Sequence, residues 1–274
     1  MKLAFDHIVH FANDPVQAAA ILRENGLHAL EGGRHSNWGT YNSLSYFDLS
    51  YVEFLGIFDR SLAETETKNL LVRDIAGRLP DREGFATLAL RTNDIEHTAV
   101  LLKSRGLGVI GPFPGSRTRP DGKVIEWSML FIESEHSVLP LPFFIQWGEE
   151  DNERRIDLQE RGVIAPHTLG NLALRHVLFA VRDLDQRISE WSSWFSLEAG
   201  EAYFDPALQA TCRTLQLPGG NLVFSSPTGD GVVATILAER GETPFALVAS
   251  GAQQNQIVEL AGGTYTFVAS NEQL

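Results

Sequence analysis

Apolar residues alternate with other residues in three similar stretches of the chain, and each stretch ends at an aspartate that can begin a helix. Alternation is typical of a half-buried strand, and an aspartate before a periodic apolar run is a common helix N-cap. Aligned on these aspartates, the repeats lie 80 residues (14 to 94) and 89 residues (94 to 183) apart. The stretches are AFDHIVHFANDP with Asp14, GFATLALRTNDI with Asp94 and LALRHVLFAVRDLD with Asp183. They predict helices over 15–25, 95–105 and 184–195.

Three further strands are predicted after each helix, so that the repeating unit is one strand, one helix and three strands. A segment between the first two units, SLAETETKNLLVRDIAGRLPDREG, predicts an extra helix, and the tail segments TPFALVAS and GTYTFVAS predict part of a fourth unit. The predicted strands are 27–31, 40–47 and 51–58 in the first unit, 107–112, 123–133 and 142–147 in the second, and 197–204, 210–217 and 221–226 in the third.

This repeat predicts an α+β fold made of βαβββ modules with curled mixed sheets, about three modules and a partial fourth. One such module leaves a concave face and a free sheet edge, so two modules side by side can enclose a cavity. We therefore predict a first domain of paired modules over 1–150. A charged and then Pro- and Gly-marked linker follows over 151–170, and a third module with the partial fourth over 171–274. The third module would pair with the tail or with another chain, and the second arrangement would give a homodimer.

Composition narrows the class of protein. The chain is 43% hydrophobic and 21% charged, which is typical of globular domains, and no apolar run is long enough to span a bilayer. The first residues, MKLAFDHIVHF, do not resemble a secretory signal peptide. The single cysteine, Cys212, excludes an internal disulfide and a cysteine-based zinc site. A net charge of −13 disfavours nucleic acid as a partner. We expect a cytoplasmic protein that binds a small molecule and neither nucleic acid nor membrane.

Strand alternation predicts which side chains face the cavity. The set that includes Ile8 and Leu88 is apolar and should meet the helices, so His7 and Thr87 should face the concave side. Glu53 stands in the middle of the strand SYVEFLGIF, where a carboxylate is costly unless it is paired, hydrogen-bonded or bound to a metal. The matching position in the second module is Gln146 or Ile145, and a slip of one residue decides between them.

The run GGRHSNWGTYNSLSYF, from Gly32 to Phe47, groups polar and aromatic residues beside the predicted bowl. Thr40 and Asn42 alternate onto one face, Trp38 would form a wall, and His35 could act as an acid or base. We predict that this run is the rim of a ligand site, with the two glycines allowing a sharp turn. The alternative is a loop held by its own hydrogen bonds.

A second candidate for ligand binding is Arg119, in a hairpin with the turn sequence PDG. Its guanidinium could reach a substrate carboxylate, because arginine and carboxylate form paired hydrogen bonds. The alternative is that Arg119 belongs to a solvated hairpin tip.

With a His in the first strand and a Glu in the fourth, the βαβββ repeat resembles the vicinal oxygen chelate superfamily. Three segments resemble more narrowly the glyoxalase-like domain branch of this superfamily: the run from Gly32 to Phe47, YVEFLGIF and GSRTRPDGKVIEW. The resemblance implies a divalent metal (Zn, Ni, Mn or Fe(II)) at the centre of the paired modules. Carried over to this chain, its ligand positions are His7, Glu53, Thr87 and Gln146 or Ile145. Thr87 departs from the family pattern, and the alternative for His7 and Glu53 is a buried hydrogen-bonded pair.

The resemblance also implies a function. We expect a metal-assisted lyase or isomerase acting on a small oxygen-rich metabolite, with His7, Glu53 and Gln146 as metal ligands. Glu53 would be the base, or His35 if Glu53 serves only the metal, and Trp38, Thr40, Asn42 and Arg119 would bind substrate. The alternative is a metal-free protein that sequesters a ligand, as the resistance proteins of the superfamily do. A dioxygenase is a weaker option, because it needs two histidines and one carboxylate.

Overall fold

The computed structural model describes residues 1–119, 121–135 and 137–269, and it contains two sheets with helices packed on them. The strands of the first sheet are β1 (Ala4–Phe11), β2 (Leu30–His35), β3 (Thr40–Phe47), β4 (Ser50–Ile57), β5 (Gly84–Arg91), β6 (Gly108–Thr118), β7 (Val124–Glu133) and β8 (Phe143–Trp147). Those of the second are β9 (Gly170–Ala180), β10 (Glu198–Ala199), β11 (Tyr203–Asp205), β12 (Ala210–Gln216), β13 (Asn221–Pro227), β14 (Thr243–Ala252), β15 (Gln256–Leu260) and β16 (Gly263–Ala269). The helices are α1 (Pro15–Glu24), α2 (Arg60–Thr65), α3 (Leu70–Arg78), α4 (Ile95–Ser104), α5 (Asp151–Glu160), α6 (Leu184–Phe195) and α7 (Val232–Arg240).

Two βαβββ modules lie side by side in the first sheet, whose strand order is β2-β3-β4-β1-β5-β8-β7-β6. β1 is parallel to β4 and antiparallel to β5, so the two modules join through their first strands. The second sheet repeats this plan with the order β10-β12-β13-β9-β14-β16-β15, and β9 pairs antiparallel with β14. The third module therefore pairs with the tail, and the α+β fold of curled, repeated modules is confirmed.

The fourth module differs from the prediction in detail. It contributes three strands, and β15 (Gln256–Leu260) was not predicted from the sequence. Only residues 253–255 separate β14 from β15, which leaves no room for the helix of the other modules. The predicted tail strand forms β16 as far as Ala269, and its last residue, Ser270, lies outside the described residues.

Each repeat helix begins where its aspartate predicts. The side chain of Asp14 accepts hydrogen bonds from the backbone N–H groups of Val16 and Gln17. Asp94 and Asp183 cap the helices α4 and α6 in the same way. These bonds satisfy amides that have no partner inside the helix, so local sequence is enough to fix the helix starts.

The main core lies between the two sheets and the helices α1, α4 and α6. One apolar cluster contains residues of both sheets, among them Ile8, Leu88 and Tyr265. His10 is part of this contact, because its ring nitrogens lie 2.6 Å from the Tyr265 hydroxyl and 2.9 Å from the Ala261 carbonyl oxygen. His10 therefore has a structural role in the contact between the two sheets.

The opposite faces of the two sheets differ. In the second sheet, Leu178, Val223 and Phe245 pack with Val233 and Leu237 of α7 into a closed apolar cluster. In the first sheet the corresponding face lines a large cavity. Among the described residues, the first pair of modules thus offers a concave surface for a ligand, whereas the corresponding face of the second pair is filled.

None of the helices in the described ranges is long and apolar enough to cross a membrane. The cytoplasmic location, the division into domains and the homodimer stay predictions.

Candidate functional site

The cavity of the first sheet has a volume of about 810 Å³, which is the size of a pocket for a metabolite or drug-sized molecule. β1, β3, β4 and the β6–β7 hairpin form its floor and sides, and α5 forms a further wall. α5 lies in the segment predicted as a linker. Its Arg154 and Leu158 are buried against the cavity although most of the helix is charged.

A bulge in β1 sets the centre of the site. The pairing of β1 with β5 shifts register between Phe5 and His7, so Asp6 does not follow the simple alternation that the sequence suggested. Instead of facing the helices, the Asp6 carboxylate accepts a 2.7 Å hydrogen bond from His7 Nδ1 and a 2.9 Å bond from Trp147 Nε1. Phe5 joins Ile8 in the core between the sheets. Strict alternation along β1 predicts Phe5 on the cavity face with His7 and Asp6 on the helix face with Ile8, and the bulge makes this prediction wrong for both. His7 faces the cavity as predicted.

His7 and Glu53 face each other across the parallel strands β1 and β4. His7 Nε2 lies 3.5 Å from Glu53 Oε2, and Asn42 Nδ2 donates a 2.6 Å hydrogen bond to Glu53 Oε1. Burial alone would raise the pKa of Glu53, but the hydrogen bond and charge of His7 outweigh burial and lower it. Burial would likewise lower the pKa of His7, but Asp6 and Glu53 raise it to about 9. At neutral pH the pair is an imidazolium and a carboxylate.

The run from Gly32 to Phe47 forms the hairpin β2–β3 at the cavity, and its first residues are strand rather than the predicted loop. Gly32 and Gly33 have no positive φ, so a sharp turn is not their purpose. A Cβ at Gly32 would lie 2.1 Å from Asn42 Oδ1, and a Cβ at Gly33 would lie 2.1 Å from Arg117 Nη1. The glycines make space for an amide and a guanidinium beside the strand.

Of the predicted rim residues, His35, Trp38, Thr40 and Asn42 all line the cavity. The Asn42 side chain holds both Glu53 and the backbone N–H of Gly33, the latter at 2.9 Å. His35 Nδ1 lies 2.9 Å from Thr40 Oγ1, and burial lowers the pKa of His35. His35 is therefore neutral at pH 7 and can exchange a proton. The alternative prediction, a segment held by its own hydrogen bonds, is also partly correct. The bonds between His35 and Thr40 and between Asn42 and Gly33 lie within the hairpin.

Arg119 also lines the cavity, but its guanidinium is occupied. It donates to both carboxylate oxygens of Asp157, at 3.0 and 3.2 Å, and also pairs with Asp121. The turn of this hairpin includes Pro120, which lies outside the described residues. Arg119 holds α5 to the hairpin and has little capacity left for a substrate carboxylate.

The second module does not supply the metal ligands that the resemblance implied. Gln146 Oε1 accepts a 2.8 Å hydrogen bond from the Ile95 N–H at the start of α4, so its side chain serves the helix. Ile145 lines the cavity instead, as the register Arg91↔Ile145 requires. The Thr87 hydroxyl donates to the Leu141 carbonyl oxygen at 2.8 Å, and Ala89 lies opposite His7. The placement of Gln146 and Thr87 in the cavity was wrong, because the bulges and the register of β8 decide the faces.

The donor set does not fit a metal ion held as the resemblance implies. His7 and Glu53 come from one module. In the other module Ala89 and Phe143 lie beside His7 and Ile145 lines the cavity, and none of these side chains can ligate. The carboxylates that the second module places along the cavity are Asp121, Glu126 and Glu149. In the part of the chain that the structure describes, no group of three or more His, Cys, Asp and Glu is arranged to hold a metal.

Comparison with known proteins supports the family and the fold of the chain. The sequence model of the glyoxalase-like domain matches residues 5–195. The chain belongs to the glyoxalase-like domain family. That family is a branch of the vicinal oxygen chelate superfamily, so the resemblance seen in the sequence is confirmed.

Two solved structures show how far the glyoxalase-like fold extends over this chain. A hypothetical protein from Staphylococcus aureus is 22% identical, with a TM-score of 0.78, over 97% of this chain and 99% of that one. A mutant of 4-hydroxymandelate synthase from Streptomyces coelicolor is 10% identical, with a TM-score of 0.61, over 91% of this chain and 71% of that one. No curated protein matches the chain by sequence. At these identities the similarity establishes the fold.

Sequence reasoning missed several residues of this glyoxalase-like site. Tyr46 and Tyr51 line the cavity, and Tyr51 stacks on His7 with ring centroids 4.5 Å apart. Arg154 lies over the ring of Trp147, with Cζ 4.1 Å from the centroid. Tyr51 lies two residues before Glu53 on β4, and Tyr46 pairs with Tyr51 from the adjacent strand β3. Strand alternation from Glu53 could therefore have identified both tyrosines as cavity residues. Arg154 lies in a segment whose charge indicated only solvent exposure.

Proposed function

We propose that this chain is a glyoxalase-like enzyme that binds a small oxygen-rich metabolite and moves a proton on it with Glu53, without a resident metal ion. The observation that carries the proposal is the ionised carboxylate of Glu53, which faces the cavity while only 8% of the residue is exposed. The structure keeps this carboxylate charged and fixes its direction through His7 and Asn42. An oriented carboxylate within reach of a substrate C–H bond can serve as a general base, and the lowered pKa of Glu53 means that the strength of the base comes from position more than from proton affinity.

The reaction would begin at a carbon beside a carbonyl group of the metabolite. Glu53 takes the proton from this carbon, and the electron pair of the C–H bond moves toward the carbonyl oxygen to give an enolate. Return of the proton to the same or the neighbouring carbon completes an isomerisation. Loss of a leaving group from the next carbon completes a lyase reaction instead.

The negative charge of the enolate needs hydrogen-bond donors. Tyr46 and Tyr51 line the cavity, and neither hydroxyl group has a hydrogen bond to another described residue. Burial raises the pKa of both phenols, so both keep their protons and can donate. Fixed donors in a desolvated site are an effective way to stabilise such charge. His35, neutral and at the rim, can return a proton from solvent.

Proton transfer can be tested without knowing the substrate. The protein is incubated in D₂O with a small-molecule extract, and mass spectrometry detects metabolites that gain deuterium at carbon. The wild type should label at least one compound, and Glu53→Gln should slow that labelling by about 10²- to 10⁴-fold. His97→Gln, on the exposed side of α4, is the control that should label as the wild type does. Equal labelling by Glu53→Gln would contradict the proposal.

A second candidate is a metal-free protein that sequesters its ligand. The specific observation in its favour is the aromatic wall of the cavity, which includes Trp38, Trp127 and Trp147. Rings of this size supply binding energy without chemistry. Tight binding of a compound from the extract, with no deuterium gained in any bound compound, would favour this function.

A further inference from the structure

The charge inside the cavity contrasts with the charge of the whole chain. The chain carries a net charge of −13, yet its cavity is lined by several arginines. At the rim, Arg119 pairs with Asp157 and Asp121, and Arg161 pairs with Asp157. Two further arginines that line the cavity, Arg117 and Arg154, have no hydrogen-bonded carboxylate among the described residues.

Arg154 is the more deeply buried of these two arginines. Only 4% of the residue is exposed, and its Nη1 and Nη2 make no hydrogen bond within the described residues. Its nearest carboxylate oxygen is Asp6 Oδ2 at 3.7 Å, but Asp6 already accepts hydrogen bonds from His7, Arg91 and Trp147. Leaving buried guanidinium donors unsatisfied is costly, so such a group calls for a partner.

Arg117 is the second arginine of the cavity without a hydrogen-bonded carboxylate. It lines the cavity, and no hydrogen bond or ion pair joins it to another described residue. The missing side chain at Gly33 lets its guanidinium pass close to β2. Burial is the main cause of the raised pKa of Tyr46, and the charges of Arg117 and Arg154 both act against it. Both arginines are thus within electrostatic reach of the same phenol.

We propose that the ligand is an organic carboxylate, with its carboxylate group bound between Arg117 and Arg154 beside Tyr46. This inference rests on the proposed function, since it concerns the same cavity. Arginine is suited to carboxylate because its donors match the two oxygens. The body of the ligand lies against the apolar side formed by Met129, Phe143 and Trp147.

Carboxylate fits the cavity better than phosphate. Phosphate sites commonly use free backbone amides at a helix N-terminus. Two helices start beside the cavity. At α3 the Asn69 side chain already accepts from the amides of Leu71 and Val72. At α5 the first turn carries the acidic side chains of Asp151 and Glu153, which repel phosphate. The available donors are therefore side chains, mainly the two arginines.

Matched pairs of ligands test the charge directly. Benzoate, phenylacetate and 2-naphthoate are each compared with the corresponding amide, which has nearly the same shape and no charge. Binding is measured by quenching of tryptophan fluorescence, because three tryptophans line the cavity. At least one carboxylate should bind tenfold or more tightly than its amide, and sodium phosphate at equal ionic strength should not displace it. No binding by any carboxylate, equal binding by the amides, or displacement by phosphate would overturn the proposal.

Variants locate the binding charge. Arg117→Gln should weaken carboxylate binding at least tenfold and leave amide binding unchanged. Arg155→Gln is the matched control, because Arg155 lies on α5 next to Arg154 but pairs with Asp48 outside the cavity. Equal affinity in the two variants would contradict the assignment. Arg154→Gln is added if its thermal melting shows that it folds, and it should weaken binding similarly.

The failure of this inference can be told apart from failure of the proposed function. Glu53→Gln removes a negative charge near the ligand, so carboxylate binding should persist or tighten while proton exchange is lost. Carboxylate binding with no proton exchange in the wild type overturns only the catalytic proposal. Proton exchange on uncharged compounds alone overturns only the carboxylate proposal.

Discussion

Asp6 and His7 are neighbours in the sequence, yet their side chains are joined by a 2.7 Å hydrogen bond from His7 Nδ1 to Asp6 Oδ1 beside the cavity. Neighbouring residues of a regular strand point to opposite faces, so this contact requires the bulge in β1. On its other side His7 faces Glu53. The bulge thus creates a line of three charged groups, with one imidazolium between two carboxylates.

His7 should titrate well above an ordinary histidine. Asp6 and Glu53 raise its pKa to about 9. Glu53→Gln removes one of these two charges and should move the pKa of His7 downward. NMR titration of the histidine ring signals measures both values. His10, whose pKa burial lowers to about 4, is the internal control that should not change. A wild-type His7 that titrates near 6.5 would contradict the assignment.

Asp6→Asn should destabilise the fold strongly. Asp6 is fully buried and is the shared partner of His7, Arg91 and Arg154. Its removal leaves buried cations uncompensated, which costs about 3–5 kcal/mol in the free energy of unfolding. Asp48→Asn breaks only the surface pair with Arg155 and should cost at most about 1 kcal/mol. Urea denaturation measures the free energy of unfolding of both variants. Similar losses in the two would show that Asp6 is not an important partner of the buried cations.

Acid should weaken the contact between the two sheets through His10. Burial lowers the pKa of His10 to about 4, so the folded state holds the neutral ring while the unfolded chain takes up a proton below about pH 6.5. The stability that this group contributes is present above pH 6.5 and is lost as the pH falls toward 4, by about 3 kcal/mol. His10→Gln should lack this part of the pH dependence. Parallel unfolding curves of both proteins from pH 7 to pH 4 would disprove it.

Protein purified without chelators or a metal-binding tag should contain far less than one divalent metal ion per chain. The reason is the donor set, in which only His7 and Glu53 face the cavity centre while Ala89 and Ile145 lie opposite. Elemental analysis after adding zinc, nickel, manganese and iron(II) measures the content. Near-stoichiometric metal that disappears in His7→Ala would instead restore the metal-assisted mechanism.

Gln146→Leu should affect stability and leave the cavity unchanged. The side chain of Gln146 caps the first amide of α4, and loss of this hydrogen bond should cost about 1 kcal/mol. Carboxylate binding should stay at the wild-type affinity. Ile145→Ala is the counterpart, since it enlarges the cavity and should alter ligand affinity. A loss of binding in Gln146→Leu alone would mean that Gln146 faces the site after all.

The starts of the three repeat helices could be predicted from the sequence because each aspartate and the amides that it caps are close together in the chain. His7, Glu53 and the rim from His35 to Asn42 were found because polar residues stood where strand alternation expected apolar ones. The prediction that Gln146 faces the cavity was wrong because it depended on information that is not local in the sequence. The choice between Gln146 and Ile145 depends on the register of β8 against β5, and register is a property of two strands.

By itself, then, the sequence determined the repeating modules, the family and half of the site, because periodicity and capping act over a few residues. The bulge at Asp6, the space that Gly33 leaves for Arg117 and the burial of Arg154 over Trp147 were decided only by tertiary structure. Each depends on atoms that are distant in the chain and meet when the strands pair and α5 packs. The arrangement of charged groups around the cavity arises from these long-range contacts, so it cannot be inferred from a local sequence pattern.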